Sequence, residues 1–275
     1  MKLRLILAAL AATTLLATPA AAHRQWILPS STVLSGDDAW VTFDAAVSNE
    51  LFYFDHNPMR LDGIKVYAPD GSAAAVENAS TGKFRSTFDL HLTHKGTYKV
   101  VSAMSGVMGS YTLNGETKRL PRGTTKENLA AAIPAGATNV RTGEMSSRNE
   151  VFVTSGAPTT TVFKATGTGL EMVPVTHPND LVAGEAATFQ FVLDGKPASG
   201  ITVTVVPGGG RYRGDLKPME LKTDGEGKVA INWPEAGMYW LNASIGGSPE
   251  GGAPRADGPL PRRASYVATL EVLAP

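Results

Sequence analysis

A chain of 275 residues with 25 basic and 25 acidic side chains has no formal net charge, and charged residues make up 18% of it. Such a balance points neither to nucleic acid nor to an anionic membrane surface as a partner. The chain has no cysteine, which excludes disulfides, thiolate metal sites, a cysteine nucleophile and lipid attachment through cysteine, so its stability must come from packing.

Residues 1–22 read as a signal peptide: Lys2 and Arg4 give a basic start, residues 5–16 form an apolar run, and Ala20-Ala21-Ala22 supplies the small-x-small cleavage pattern. The apolar run is too short to span a bilayer, so the leader is expected to be cut off and the mature chain not to be inserted in a membrane. The mature chain is expected to begin at His23 and to lie in a bacterial periplasm, where a cysteine-free protein of this size folds without covalent staples. Cleavage leaves 253 residues with 23 basic against 25 acidic side chains, a net charge of about −2. The 29 Gly and 18 Pro, spread along the sequence, predict many turns between short strands, and two domains of sandwich size fit better than one.

Two stretches repeat. Residues 36–43 (GDDAWVTF) have the spacing of residues 184–191 (GEAATFQF), each a turn glycine and an acid followed by alternation ending on Phe. Residues 96–103 (GTYKVVSA) are echoed by 237–243 (GMYWLNA), and glycine-x-tyrosine entering a strand is the pattern of a sandwich corner, where the phenol bonds back to the preceding loop. Residues 65–67, 84–92, 201–206 and 228–233 alternate as strands do. Asp70-Gly71, Asp194-Gly195 and Asp224-Gly225 offer the positive-φ residues of tight turns.

In the middle of the chain, residues 124–127 (TTKE) resemble a capping box for a short helix over residues 128–132, ended by Pro134. Residues 150–154 form a strand returning to the first domain, and residues 155–158 are turn-rich. A boundary near Thr168 divides the mature chain into domains 23–168 and 169–275. Residues 246–263, rich in Gly and Pro, are expected to be a long mobile loop before a closing strand over 265–272. The fold expected is all-β: two tandem immunoglobulin-like or transthyretin-like β-sandwiches with a short connecting helix.

A terminal histidine brings its own chelate. The free α-amine and the Nδ1 of His23 close a six-membered ring on one cation, and one further imidazole completes a copper or nickel site. His56, in the loop-like segment 52–58 (FYFDHNP), is the third donor expected, with Asp55 either ligating or orienting an imidazole. The competing reading is a frayed polar terminus and a loop histidine bonded to Asp55. The amino-terminal motif that binds copper through successive backbone amides needs histidine third, and Gln25 holds that place.

His91, His94 and His177 are weaker candidates. Phe88, Leu90 and Leu92 face inward, which turns His91 outward beside Asp89; His94 falls in the turn before Gly96, and His177 caps a turn at the entry to the second sandwich. Residues 208–213 (GGGRYR) lack the Gly-Lys-Ser/Thr ending of a phosphate loop and read as a turn. No Gly-x-Ser-x-Gly elbow or His-Glu-x-x-His pair occurs, and the carboxylates sit on turns and solvent faces, so nothing nominates an enzyme.

The phrases AHRQWILP (22–29), GLEMVPVTHPNDL (169–181), LDGKP (193–197) and PEAGMYW (234–240) resemble those of bacterial exported proteins of a domain-of-unknown-function family. Members are commonly labelled as the periplasmic component of nickel or cobalt uptake systems, and the similarity spans essentially the whole mature chain. The resemblance implies a periplasmic metal-binding or metal-delivery protein, working beside an outer-membrane TonB-dependent receptor or an inner-membrane metal transporter. The histidine before Trp26 matches the family's beginning, and Phe54-Asp55-His56 looks like the form in close relatives; His91 and His94 match no family motif. The expected cargo is a divalent transition metal: nickel, cobalt or copper. Two other readings stand beside it, a metal-independent interaction module for such a receptor or transporter, and a copper-dependent redox enzyme built on the terminal chelate.

Overall fold

The computed structural model describes residues 23–246 and 258–275. The expected signal segment, and the larger part of the loop expected over residues 246–263, lie outside the described residues.

The predicted alternation becomes buried faces. In one small sheet the strand Ala39–Ser48 lies between Arg24–Pro29 and Ser86–Leu92, all antiparallel, with Glu77–Thr81 at the outer edge. Val41, Phe43 and Ala45 from the central strand, and Phe88, Leu90 and Leu92 from its neighbour, point to one side and are fully or nearly fully buried. Phe43 stacks on Phe88 across the register, with ring centroids 4.8 Å apart. This face closes on Tyr98, Val100, Val151 and Val153 of a second, larger sheet. A third sheet, built on the strand Ala186–Leu193 with Leu170–Pro174 and Lys228–Asn232, buries Ala187, Phe189 and Phe191 against Val203, Val205, Leu241 and Tyr266 of that same large sheet.

The protein is therefore an all-β pair of sandwiches, and the two share their middle layer. The 18-residue strand Thr138–Ser155 pairs antiparallel with Gly96–Leu113 on one side. On the other side it pairs in parallel with Arg263–Val272, from Met145 opposite Arg263 to Val151 opposite Thr269. A ten-stranded sheet results, running through both halves.

The repeats have matching backbone geometry. Gly36 and Gly184 have φ of 91° and 87°, and Gly96 and Gly237 have φ of 127° and 142°. At Gly96 a Cβ would lie 2.6 Å from the Cβ of Pro69, so no side chain fits. Both corner tyrosines bond four residues upstream: the Tyr98 hydroxyl accepts the His94 amide at 2.8 Å, and the Tyr239 hydroxyl donates to the Glu235 carbonyl at 2.7 Å.

Some local expectations shift. Asp194 and Gly195 form a hairpin with φ of 50° and 77°, but in the Asp224 loop the positive φ falls on Gly227. There Asp224 Oδ1 accepts the amides of Glu226 and Lys228, and this side-chain turn moves the tight residue downstream. The expected connecting helix is the single turn Leu129–Ala132, and a second helical turn, Gly210–Arg213, forms where residues 208–213 read as a turn. The expected capping box does not form: the N-cap residue Asn128 makes no side-chain cap bond to the helix, and its Oδ1 turns back to take the Thr125 amide at 2.7 Å.

Where the halves join, the sheet buries charge. Glu150, 3% exposed, accepts the Tyr266 hydroxyl at 2.9 Å and Arg148 Nη1 at 3.1 Å, with Lys99 Nζ at 3.9 Å. Burial pushes the Tyr266 phenol well above its ordinary range. Burial alone would raise the Glu171 carboxyl too, but the amide and hydroxyl of Thr166, Arg148 and the Gly167 amide outweigh it and hold it below its usual value. Removing Glu150 leaves Lys99, itself 7% exposed, as a buried charge without that carboxylate. Glu150→Ala should therefore lower the unfolding free energy by about 3 kcal/mol or more. Urea denaturation followed by tryptophan fluorescence checks this, and an unchanged midpoint would show that the network does not lock the halves.

Candidate metal centre

The first described residue and a loop histidine meet at one end of the small sheet. Arg24 is the register partner of Ser48 and Gln25 of Val47, so the chain before Arg24 emerges beside the end of Ala39–Ser48. After Ser48 the chain loops outward and returns as Asn57–Pro58, pairing with Val47 and Ala46 on the opposite edge of the same strand. His23 and His56 thus sit next to the ends of the two segments flanking one strand. Their rings are stacked, with centroids 3.8 Å apart and planes 16° from parallel.

The loop that carries His56 is fixed from several sides. Asp55 accepts the amides of Asn49 and Glu50, at 2.9 and 3.1 Å, closing residues 49–55 into a compact turn. Phe52 and Phe54 pack on the fully buried Trp26 at 5.5 and 5.6 Å, and Trp26 Nε1 donates to Ser48 Oγ at 2.7 Å. Phe52 is left-handed, with φ of 58°, a conformation that costs a bulky residue roughly 1–2 kcal/mol. Its contact with Trp26 offsets this, and so does Gly208, where a Cβ would stand 3.0 Å from Phe52 Cδ2. The guanidinium of Arg85 lies 4.5 Å from the Phe54 ring centroid, and that of Arg211 lies 3.9 Å from the Tyr53 centroid.

This geometry sorts the expected ligands. Asp55 has both oxygens committed to backbone amides, so it shapes the platform under His56. A cation bound to an imidazole nitrogen lies near the ring plane at about 2.0–2.1 Å. Two nearly parallel rings 3.8 Å apart cannot both hold one ion in their planes, so joint ligation requires one ring to turn. His23 is exposed and free to do so. Among the described residues, no three His, Asp or Glu side chains are grouped closely enough to hold a metal.

The other histidines are engaged elsewhere. His91 stacks on Trp40 at 4.3 Å and puts Nε2 2.8 Å from Asp38, and His94 Nδ1 lies 3.0 Å from the hydroxyl of its neighbour Thr93. His177 joins the two halves. Its Nδ1 accepts the Asn179 amide at 3.1 Å, which puts the proton on Nε2, 3.0 Å from Thr97 Oγ1 and 3.3 Å from the Thr159 carbonyl.

His23 stands at the mouth of a groove of about 850 Å³ between the halves. Its floor is the shared sheet, at Thr204, Asn242 and Ser265, and its wall is the terminal strand, where Trp240 Nε1 donates to the Gln25 carbonyl at 3.1 Å. Arg24 reaches over Trp240, 5.7 Å from the ring centroid, and donates to the Asn49 carbonyl at 3.2 Å; burial lowers its pKa from the ordinary arginine value. Sequence reasoning missed this groove, because its residues come from strands far apart in the chain and carry no motif.

The sequence pattern of a domain of unknown function, DUF4198, matches residues 20–247. The chain belongs to the DUF4198 family. No curated protein matches it. Among solved structures it is similar to the human OSCAR ligand-binding domain, at 9% identity over 91% of this chain and 99% of that one, with a TM-score of 0.22. It is also similar to the D0–D1 domain of Intimin, at 13% identity over 90% and 97% of the two chains, with a TM-score of 0.23. Likenesses this distant say nothing of what a DUF4198 protein binds.

Burial lowers the pKa of His177 below the ordinary histidine value, so the folded protein favours the neutral ring more than the unfolded chain does. The unfolded chain takes up a proton below about pH 6.5, which the folded chain resists, so this contribution to stability is complete above that pH and is lost as the pH falls. The urea midpoint should fall on acidification from about pH 7 to about pH 5, and His177→Gln should make the fall shallower. Identical slopes in the two proteins would contradict this role for His177.

Proposed function

We propose that the protein is a non-enzymatic periplasmic binder of a divalent transition metal (nickel, cobalt or copper), assisting its uptake or delivery. The observation that carries this reading is the contact between the His23 and His56 rings, which stand 33 residues apart in sequence and come together at the edge of an open groove. Once the leader is removed, His23 offers an amine and an imidazole nitrogen, and His56 a third nitrogen on a rigid loop. Bound there, a cation would gain a compact all-nitrogen donor set, for which copper binds more tightly than nickel and nickel more tightly than cobalt. Asp55, Phe52 and Phe54 hold His56 in place, while the exposed His23 ring turns to meet the ion. Protons compete for the same lone pairs, so uptake weakens in acid. Passage to a TonB-dependent receptor or an inner-membrane transporter belongs to the same proposal.

A second reading, a metal-independent interaction module, draws on the same groove: an open sheet floor beside a basic, exposed helical turn at Arg211 and Tyr212 suits a protein segment as well as an ion. Calorimetric titration of the protein beginning at His23 separates the two. One equivalent of Cu(II) should bind, and either His56→Ala or one additional residue ahead of His23 should weaken binding by roughly 100-fold or more. Equal affinity in all three proteins would remove the site and favour the interaction module.

A further inference from the structure

We propose that the groove between the halves binds a small organic monocarboxylate, whose carboxylate group is taken by Arg24. The inference starts from a cation without a counter-ion. Arg148 and Arg262, half-buried like Arg24, each hold a carboxylate: Glu150 lies 3.1 Å from the first, and Asp194 pairs with the second. Arg24 lines the groove and uses only Nη1, on the Asn49 carbonyl; among the described residues its Nε and Nη2 have no partner, and no carboxylate pairs with it. A guanidinium drawn partly out of water with no anion beside it is unfavourable, and burial already disfavours its charged form. A carboxylate docked in the guanidinium plane would relieve this and form two charge-assisted hydrogen bonds with the uncommitted N–H groups.

The groove supplies the rest of a site. Thr204 stands opposite Asn242 in the register, and Asn242 opposite Val267. Trp240 and Ser265 lie two residues from Asn242 and Val267 on their strands, so all five side chains project from one face of the shared sheet. The Thr204 and Ser265 hydroxyls have no hydrogen-bond partner among the described residues, and Asn242 keeps Oδ1 uncommitted after Nδ2 donates to the Tyr266 carbonyl at 3.1 Å. Leu51, Leu216, Val267 and Trp240 add apolar surface to the same lining. A hollow of about 850 Å³ that combines apolar walls with a few polar groups has the size and character of a small-molecule site.

The remaining charges fix the charge of the ligand. Two exposed carboxylates also line the groove: Glu50, 3.6 Å from Arg211, and Asp215, which accepts the Lys217 amide at 3.0 Å. A dianion such as phosphate would be repelled by them, whereas a single negative charge is matched by the one guanidinium left without a carboxylate. The apolar walls suit an aromatic or aliphatic body behind that charge. The site uses neither a terminal amine nor an imidazole, so it stands or falls independently of the histidine pair.

Benzoate is the probe, titrated without added metal into protein carrying 15N-labelled tryptophan, and benzamide, of the same shape but uncharged, is the control. Benzoate should shift the indole N–H signal of Trp240, whose Nε1 donates to the Gln25 carbonyl beside Arg24, and leave that of the core residue Trp233 in place. Benzamide should bind at least roughly tenfold more weakly, and so should benzoate to the Arg24→Gln protein. The proposal is overturned if benzoate does not move the Trp240 signal, if the two compounds move it alike, or if Arg24→Gln binds benzoate as the parent does. The comparison of the two compounds on the unmodified protein decides the matter even if the variant does not fold.

Discussion

The parallel pairing of Thr138–Ser155 with Arg263–Val272 is the constraint on which the other features depend. It brings a strand from the end of the chain against one from its middle and turns two sandwiches into one body with a common layer. That layer needs polar partners where it crosses the junction, and Glu150, Arg148, Lys99 and Tyr266 supply them. It also gives the terminal strand somewhere to dock. Trp26 packs with Val206, Trp240 and Val267, so a strand of the first half is anchored on residues of the second. His23 is held at the groove for that reason.

Much of the fold was legible in the sequence because it is written locally. Alternation over a few residues fixes which side of a strand is buried, and Phe43, Phe88, Phe189 and Phe191 all face inward as their spacing requires. The duplicated glycine-x-tyrosine corners were legible for the same reason: a positive-φ glycine and a phenol bonded four residues upstream involve nothing beyond one loop. The fused sheet was not legible. Its decisive pairs, such as Val151 with Thr269, join segments more than a hundred residues apart, and a strand that pairs in parallel looks locally like any other.

The candidate site divides the same way. Histidine at the expected cleavage point and histidine in an aromatic loop are visible in the sequence, and the structure brings the two rings together. The role of Asp55 depended on whether its oxygens met backbone amides or an imidazole, and the turn at Asn49 and Glu50 decides for the amides.

The claim that one cation bridges a processed terminus and a loop is tested most directly by electron spin echo modulation from Cu(II) bound to the protein beginning at His23. Coupling to the remote nitrogens of two imidazoles in the parent, and of one in His56→Ala, is the result this account predicts. A single coupled imidazole in the parent, or a spectrum that His56→Ala leaves unaltered, would contradict it.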